Sequence, residues 1–341
     1  MLQLSRDGSR LFTSGRPWLH PLLELTRFLA EAGENTEGCE LYDKIVGRAA
    51  ALLIVRLGIG SVRTDLISRR AIPVFDAHQV AWRSADVVDR IACRTEELLA
   101  GEDDPDVAYR MIRARAIAAE AAASPERCAL RVDGVRVVRG DQTILHDVTL
   151  HVGRGEKLLI TGSNGAGKTT LLKTILGTLP PVAGSVQVPG VTDRAVRLGY
   201  VNQESVAVTF PISAREVVAI GVALAGRGRR WKRRRVEDAM QAARCSVLAD
   251  RMYDSLSGGE KQRVAIARCL AQGAGVLLLD EPTASLDAEG KREFVSLLER
   301  LAEERDMTVV MVTHEFDAMD RSGWRHVTIS EGALCPVESV R

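Results

Sequence analysis

The chain opens on alternation. In "MLQLSRDGSRLFTS" apolar and polar positions alternate on either side of a polar Asp-Gly pair, the pattern of two short strands joined by a tight turn. The period then lengthens, and "WLHPLLELTRFLAEAG" repeats its apolar positions at helical spacing. A short run, "GCELYD", leads into "DKIVGRAAALLIVRLG", residues 43–58, whose alanines and leucines predict a second helix opening at Asp43-Lys44-Ile45. "SVRTDLIS" alternates as a strand, and helical runs are predicted near residues 84–100 and 105–122. Strand and helix in turn describe a small α/β domain.

Residues 114–125, "ARAIAAEAAASP", are alanine-rich, weakly amphipathic and closed by Ser-Pro, a frequent helix-to-loop boundary. We place the domain junction there, with one domain over 1–122 and a second over 126–341. The second begins with two alternating runs, "CALRVDGVRVV" and "ILHDVTLHV", followed by the buried-strand run "LLITG", after which helices and strands alternate to the end. The basic run "RGRRWKRRR", residues 227–235, reads as a solvated loop and helix start, although anionic lipid headgroups or nucleic acid would suit its charge.

Composition narrows the classes. The 341 residues are ample for two cores, and 46 basic against 45 acidic residues leave a net charge of +1, so any attraction to nucleic acid or lipid is local. The six cysteines show no C-x-x-C pair, which predicts free thiols in a reducing cytosol rather than zinc or disulfides. A bilayer span needs about 20 apolar residues. "AAALLIV", held between Arg48 and Arg56, and "VVAIGVALAG" are both too short. Since the N-terminus also lacks the pattern of a signal peptide, the chain is expected not to be exported.

The candidate chemistry begins at "GSNGAGKTT", which fits G-x-x-x-x-G-K-[ST] between an apolar strand and a helical run. Gly162, Ser163, Asn164, Gly165, Ala166 and Gly167 would turn backbone N–H groups toward phosphate oxygens, with Lys168 reaching the β- and γ-phosphates and Thr170 in the same cradle. Thr169 would offer its hydroxyl to Mg²⁺. "GVLLLDEP" is an apolar strand ending in two acids, so Asp280 is a second candidate Mg²⁺ ligand and Glu281 a candidate for polarising a water.

With "LSGGEKQR", residues 256–263, the chain resembles the nucleotide-binding domain of ATP-binding cassette (ABC) proteins over roughly residues 128–335. The resemblance implies that Leu256, Ser257, Gly258, Gly259 and Glu260 cradle the γ-phosphate held by a second copy, so that two cassettes close head to tail around two ATP molecules. It further implies that Gln203 touches Mg²⁺, that Asp287 is the D-loop aspartate, and that His314 is the switch histidine steadying Glu281. Where the family stacks an aromatic ring on adenine, this chain has Arg139, which either stacks through its guanidinium or points to solvent. "TFPISAREVVAIG", residues 209–221, is similar to the corresponding segment of cassettes serving manganese and zinc importers.

A second resemblance, carried by "DKIVGRAAALL" and "DDPDVAYRMIRAR", is to a bacterial and archaeal family of unknown function with a cytidine-deaminase-like fold, over about residues 1–120. Zinc deaminases need a His-x-Glu and a Cys pair. Here Asp43-Lys44-Ile45 and the lone Cys93 stand at those places, so zinc-dependent deamination is not expected. Asp43 and Lys44 remain as an edge that holds a small polar ligand or, equally, as a helix cap. The expected fold is thus a three-layer deaminase-like α/β domain followed by a P-loop cassette with a helical subdomain. The expected function is an ATP-hydrolysing subunit using Mg²⁺, peripheral on the cytoplasmic face of the membrane. It would pair with a second copy and separate permease subunits to drive metal-ion import, with no specific nucleic-acid partner. The alternative is a soluble ABC ATPase regulated by a ligand-sensing first domain.

Overall fold

The computed structural model describes the chain apart from residues 92–94, 96–98, 100, 125–126, 190–196, 203–210, 315–322 and 337–341. It divides into two units, Met1–Ala116 and Ile117–Arg341. Among the described residues no helix is long and apolar enough to cross a membrane.

In the first unit β1 (Leu2–Arg6) and β2 (Ser9–Ser14) form the expected hairpin, turned by Asp7 and Gly8 at φ of 50° and 75°. Next come α1 (His20–Ala32), β3 (Cys39–Val46), α2 (Arg48–Arg56), β4 (Ser61–Ser68), α3 (Ile72–Ala77) and β5 (Ala81–Val88). The sheet order is β2-β1-β3-β4-β5, with β3, β4 and β5 parallel. Leu2, Leu4, Leu41 and Val62 are buried on one sheet face, while Glu40, Lys44, Arg63, Asp65 and Arg83 are exposed. Residues 49–54 of α2 are all buried, so this helix lies inside the core rather than against one side of it. A longer helix, α4 (Pro105–Ala123), completes the unit and continues past its boundary.

Two expectations are corrected here. Asp43 and Lys44 do not open a helix: they lie in β3, where Asp43 is paired with Leu2 on one side and Thr64 on the other, and α2 starts after Gly47, its N-cap. The cap reading of Asp43 is therefore excluded. The helical run near 84–100 is likewise replaced at its start by edge strand β5, whose Ala, Ser and Asp have weak β preference but find their ladder in β4. Cys93 lies outside the described residues.

The second unit is built on two sheets. β6 (Cys128–Arg139), β7 (Gln142–Gly153) and β9 (Ala183–Gln187) form an antiparallel sheet of order β7-β6-β9. β8 (Lys157–Thr161), β10 (Arg197–Val201), β11 (Ala274–Asp280), β12 (Thr308–Thr313), β13 (Arg325–Ser330) and β14 (Ala333–Pro336) form the other, of order β10-β11-β12-β8-β13-β14. All its neighbours are parallel except β13 with β14. The near-continuous apolar runs of β8, β11 and β12 follow from burial on both faces. Helices α5 (Lys168–Ile175) and α9 (Ala288–Arg305) accompany this sheet, while α6 (Ala214–Ile220), α7 (Arg229–Ala242) and α8 (Gly258–Gln272) pack on one another through Val217, Val218, Val236, Met240, Val264 and Ala267.

Candidate functional site

Strand register assembles the site. Asp280 at the end of β11 is level with Val312, and Thr313 at the end of β12 is level with Thr161 at the end of β8. The segments leaving three adjacent parallel strands therefore emerge in one row at the carboxyl edge, where α/β sheets hold ligands. The glycine-rich loop follows β8, Glu281 follows β11 and His314 follows β12.

Close approach dictates the loop's glycines. A Cβ on Gly162 would stand 2.3 Å from the carbonyl oxygen of Ile329, and one on Gly167 would stand 2.8 Å from Leu145 Cδ2, at a φ of 106° that L side chains rarely adopt. Gly167 is the N-cap of α5 and offers no side chain there. Ser163, Asn164 and Gly165 are exposed, Ala166 and Lys168 are buried, and Thr170 is half-buried. The Lys168 ammonium donates to the carbonyls of Gly162 and Ser163 at 2.8 and 3.1 Å and lies 3.6 Å from Glu281 Oε1.

Glu281 is only 8 % exposed and has a φ of 49°, in the left-handed region, an uncommon conformation for a side chain of its size. Its Oε2 accepts the backbone N–H of His314 at 3.2 Å and lies 2.8 Å from His314 Nδ1. One carboxylate thus bridges the loop lysine and the histidine, an arrangement suited to receiving a proton from a water and holding it close to a bound phosphate.

Asp280, 3 % exposed, is the deeper acid. Thr169 Oγ1 donates to its Oδ1 at 3.2 Å, and the Tyr200 hydroxyl donates to its Oδ2 at 3.1 Å. Burial raises its pKa, the two hydroxyls act in the opposite direction, and the neighbouring charge of Glu281 raises it again. Hard oxygen donors are what Mg²⁺ takes, and neighbouring ligands at about 2.1 Å in an octahedron lie roughly 3 Å apart. The 3.2 Å between Thr169 Oγ1 and Asp280 Oδ1 fits that pair of positions. Gln203 lies outside the described residues.

Tyr200 is the residue sequence reasoning missed. Its sequence signal, a lone hydroxyl in the half-buried run before Gln203, is weak. Its carbonyl accepts from Arg268 at 3.1 Å and from Cys269 Sγ at 3.8 Å, both on α8. Gly199 permits this approach, since a Cβ there would stand 2.7 Å from Cys269 Cβ.

The signature residues are the start of α8. Ser257 is its N-cap and forms a capping box with Glu260: Ser257 Oγ accepts Glu260 N–H at 3.4 Å and Glu260 Oε2 accepts Ser257 N–H at 2.8 Å. That backbone donor, with the Ser257 hydroxyl and nearby Arg251, holds Glu260 below its ordinary pKa. Leu256 is buried, while Gly258 and Gly259 lie beside Ser285 and Leu286. Asp287 caps α9, accepting Gly290 N–H at 2.8 Å. Arg139 is exposed at the β6–β7 turn.

In the first unit, Asp43 accepts the N–H groups of Lys44 and Ile45 within its own strand, and burial raises its pKa to about 6. Lys44 is exposed. Among the described residues no cluster of His, Cys, Asp and Glu is arranged to hold a metal ion.

Comparison with known proteins gives two family matches: the family described as "ABC transporter" over residues 145–284, and that described as "Domain of unknown function (DUF1893)" over residues 4–115. The manganese transport system ATP-binding protein MntB of Bacillus subtilis is 39% identical over 204 residues, covering 57% of this chain and 81% of MntB. The cobalt import ATP-binding protein CbiO of Rhodobacter capsulatus is 39% identical over 220 residues, covering 59% and 77%. The energy-coupling factor transporter ATP-binding protein EcfA1 of Lacticaseibacillus paracasei is 38% identical over 183 residues, and the chain spans 66% of its length. Among solved structures, cbiO1 of Clostridium perfringens, part of the ABC transporter complex cbiONQ, aligns with a TM-score of 0.56 at 29% identity, covering 61% of this chain and 87% of cbiO1. The ABC transporter cassette MJ0796, in a dimeric post-hydrolysis state bound to ADP and Pi, aligns with a TM-score of 0.52 at 28% identity, covering 62% and 100%.

Proposed function

The chain belongs to the ABC transporter family of ATP-binding, ATP-hydrolysing proteins, and from that premise we propose that it is the motor subunit of an importer whose membrane-spanning permease is a separate chain. The observation that carries the reading is the row of Lys168, Asp280, Glu281 and His314 at the ends of β8, β11 and β12.

The loop amides and Lys168 bind the phosphates, and the ammonium now on Gly162, Ser163 and Glu281 exchanges part of that set for phosphate oxygens. Thr169 and Asp280 would hold Mg²⁺, joined by Gln203 as the family resemblance implies; when bound, the ion neutralises charge on the transferring phosphoryl group. Glu281 takes the proton of the attacking water, and His314 fixes its carboxylate through Oε2. Residues 256–260 and Asp287 meet the nucleotide of a second copy, so the working unit is a head-to-tail dimer peripheral to the cytoplasmic face of the membrane. Arg139, where the family has an aromatic ring, would stack its guanidinium on the base.

Metal-ion import, manganese or zinc, is the cargo we infer, supported by the "FPISAREVV" segment and the likeness to MntB. Likeness of equal strength to cobalt and energy-coupling factor cassettes means that an experiment must choose. We assign residues 1–122 to a separate domain, like the family of unknown function that it matches, and 126–341 to the motor. Purification of the native complex from membranes, with identification of the co-purifying permease and assay of its cargo, tests the reading. Recovery only from the soluble fraction, with no membrane subunit, would replace it by the soluble regulated ATPase.

A further inference from the structure

Seven of the nine residues 227–235 are basic, and no acid occurs from Val217 to Val236. The structure places this run across Gly228, the N-cap of α7, whose first turn has no acidic residue and no side-chain cap. Cations at that end of a helix oppose its dipole, so the arrangement costs stability in water.

Its charges are unevenly used. Arg235 turns inward onto the carbonyls of Leu270 and Ala271, at the end of α8. Arg233 and Arg234 lie 3.4 and 4.0 Å from Glu237 and Asp238. Arg227, Arg229 and Arg230 are exposed, and residues 227–238 carry seven basic and two acidic side chains, a net of +5.

Apolar groups stand among these cations. Trp231 is 43 % exposed with the Arg227 guanidinium 6.0 Å from its ring centre, and Leu224 is fully exposed. Lys232 Nζ donates to Ala223 O at 2.8 Å, tying the Leu224 turn to the first turn of α7. An exposed leucine and tryptophan within a cationic face match a surface that is anionic outside and apolar just beneath, which describes the headgroup layer of a bilayer. A single-stranded nucleic acid would call for several stacking rings, and this face has one.

We propose that residues 227–234, the loop end and first turns of α7 with Trp231 among them, rest together with Leu224 on the anionic lipid headgroups of the membrane. The inference rests on the membrane-peripheral reading above, but its test needs neither permease nor nucleotide. The full chain is sedimented with vesicles of phosphatidylcholine, alone or containing about one quarter phosphatidylserine. Partitioning is expected to be about a hundredfold stronger on the anionic vesicles and to disappear near 0.5 M salt, where the Debye length is only about 4 Å. Arg229→Gln/Arg230→Gln lowers anionic partitioning about tenfold or more, with a melting temperature unchanged or raised because cations leave the positive end of the helix. Leu224→Ser/Trp231→Ala weakens the remainder. Equal partitioning on both vesicles, full binding by the double arginine variant, or tighter binding to an oligonucleotide than to anionic vesicles would each overturn the proposal. Vesicle binding by a chain without ATPase activity would instead overturn the motor reading and leave this one standing.

Discussion

Replacing Glu281 by glutamine removes the basicity and charge of the carboxylate and preserves its shape. The side chain keeps its length and an oxygen to accept His314 N–H, now 3.2 Å from Oε2. It can no longer take a proton, and the charge 3.6 Å from Lys168 is removed. A positioned general base contributes about 10²–10⁴ in rate, or about 3–5 kcal/mol of barrier. Because the loop glycines and the His314 contact are untouched, no folding loss should add to this. Steady-state phosphate release at saturating MgATP is therefore expected to fall within that window. Binding of a fluorescent ATP analogue should be unchanged or tighter, since Lys168 is freed for phosphate, and the ATP-bound dimer should accumulate on size exclusion. A fall of less than about tenfold would refute the role given to Glu281.

Three further outcomes follow from individual contacts. Tyr200→Phe removes the hydroxyl 3.1 Å from Asp280 Oδ2; a hydrogen bond to a charged group is worth about 1.5–3 kcal/mol, so the Mg²⁺ or Mn²⁺ concentration supporting half-maximal nucleotide binding should rise by tenfold or more, and an unchanged metal requirement would exclude a positioning role. Gly162→Ala drives a Cβ to 2.3 Å from Ile329 O, and the expected cost of about 1–3 kcal/mol is read as a lower melting temperature together with weakened ATP binding. Asp43, held at about 6 instead of 3.8, binds its proton more tightly folded than unfolded, so its contribution to stability is full below pH 3.8 and is lost as pH rises through 6. Asp43→Asn should accordingly raise first-domain stability above pH 6, by up to about 3 kcal/mol at 1.36 kcal/mol per unit, and flatten the profile between pH 4 and 6; a loss of stability at pH 7.5 would contradict the burial argument.

The motor's chemistry was legible because its motifs constrain backbone geometry within a few residues. "GSNGAGKTT" specifies a strand end, a turn with glycine at its close approaches and a helix start, and those are β8, the loop and α5. What joins that loop to Glu281 and His314 is parallel register between strands more than a hundred residues apart, which no local pattern encodes. The same limit misplaced Asp43. The alanine run after it has strong helix preference, but Asp43 is claimed by ladders to β1 and β4 and Ile45 and Val46 by the ladder to β4, and only Gly47 marks where strand yields to helix. In β5 weak local preference likewise gave way to pairing. Tyr200 escaped notice because a half-buried strand residue and a residue holding a buried acid look alike until the neighbouring strand is in place.

Among the described residues the same helix opening occurs twice. Ser213 and Glu216 close a capping box at α6 just as Ser257 and Glu260 do at α8. The serine and glutamate of "SGGE" therefore spell a general instruction for beginning a helix, and "SARE" obeys it without any claim on a nucleotide. What separates the two is the pair of letters between. Ala214 and Arg215 clothe the first turn of α6, while Gly258 and Gly259 leave that of α8 bare, so closely set against Ser285 and Leu286 that a Cβ on either would stand only 2.9 or 3.1 Å away. The distinguishing content of the signature is thus an omission: two missing side chains on a helix start that would be well made without it.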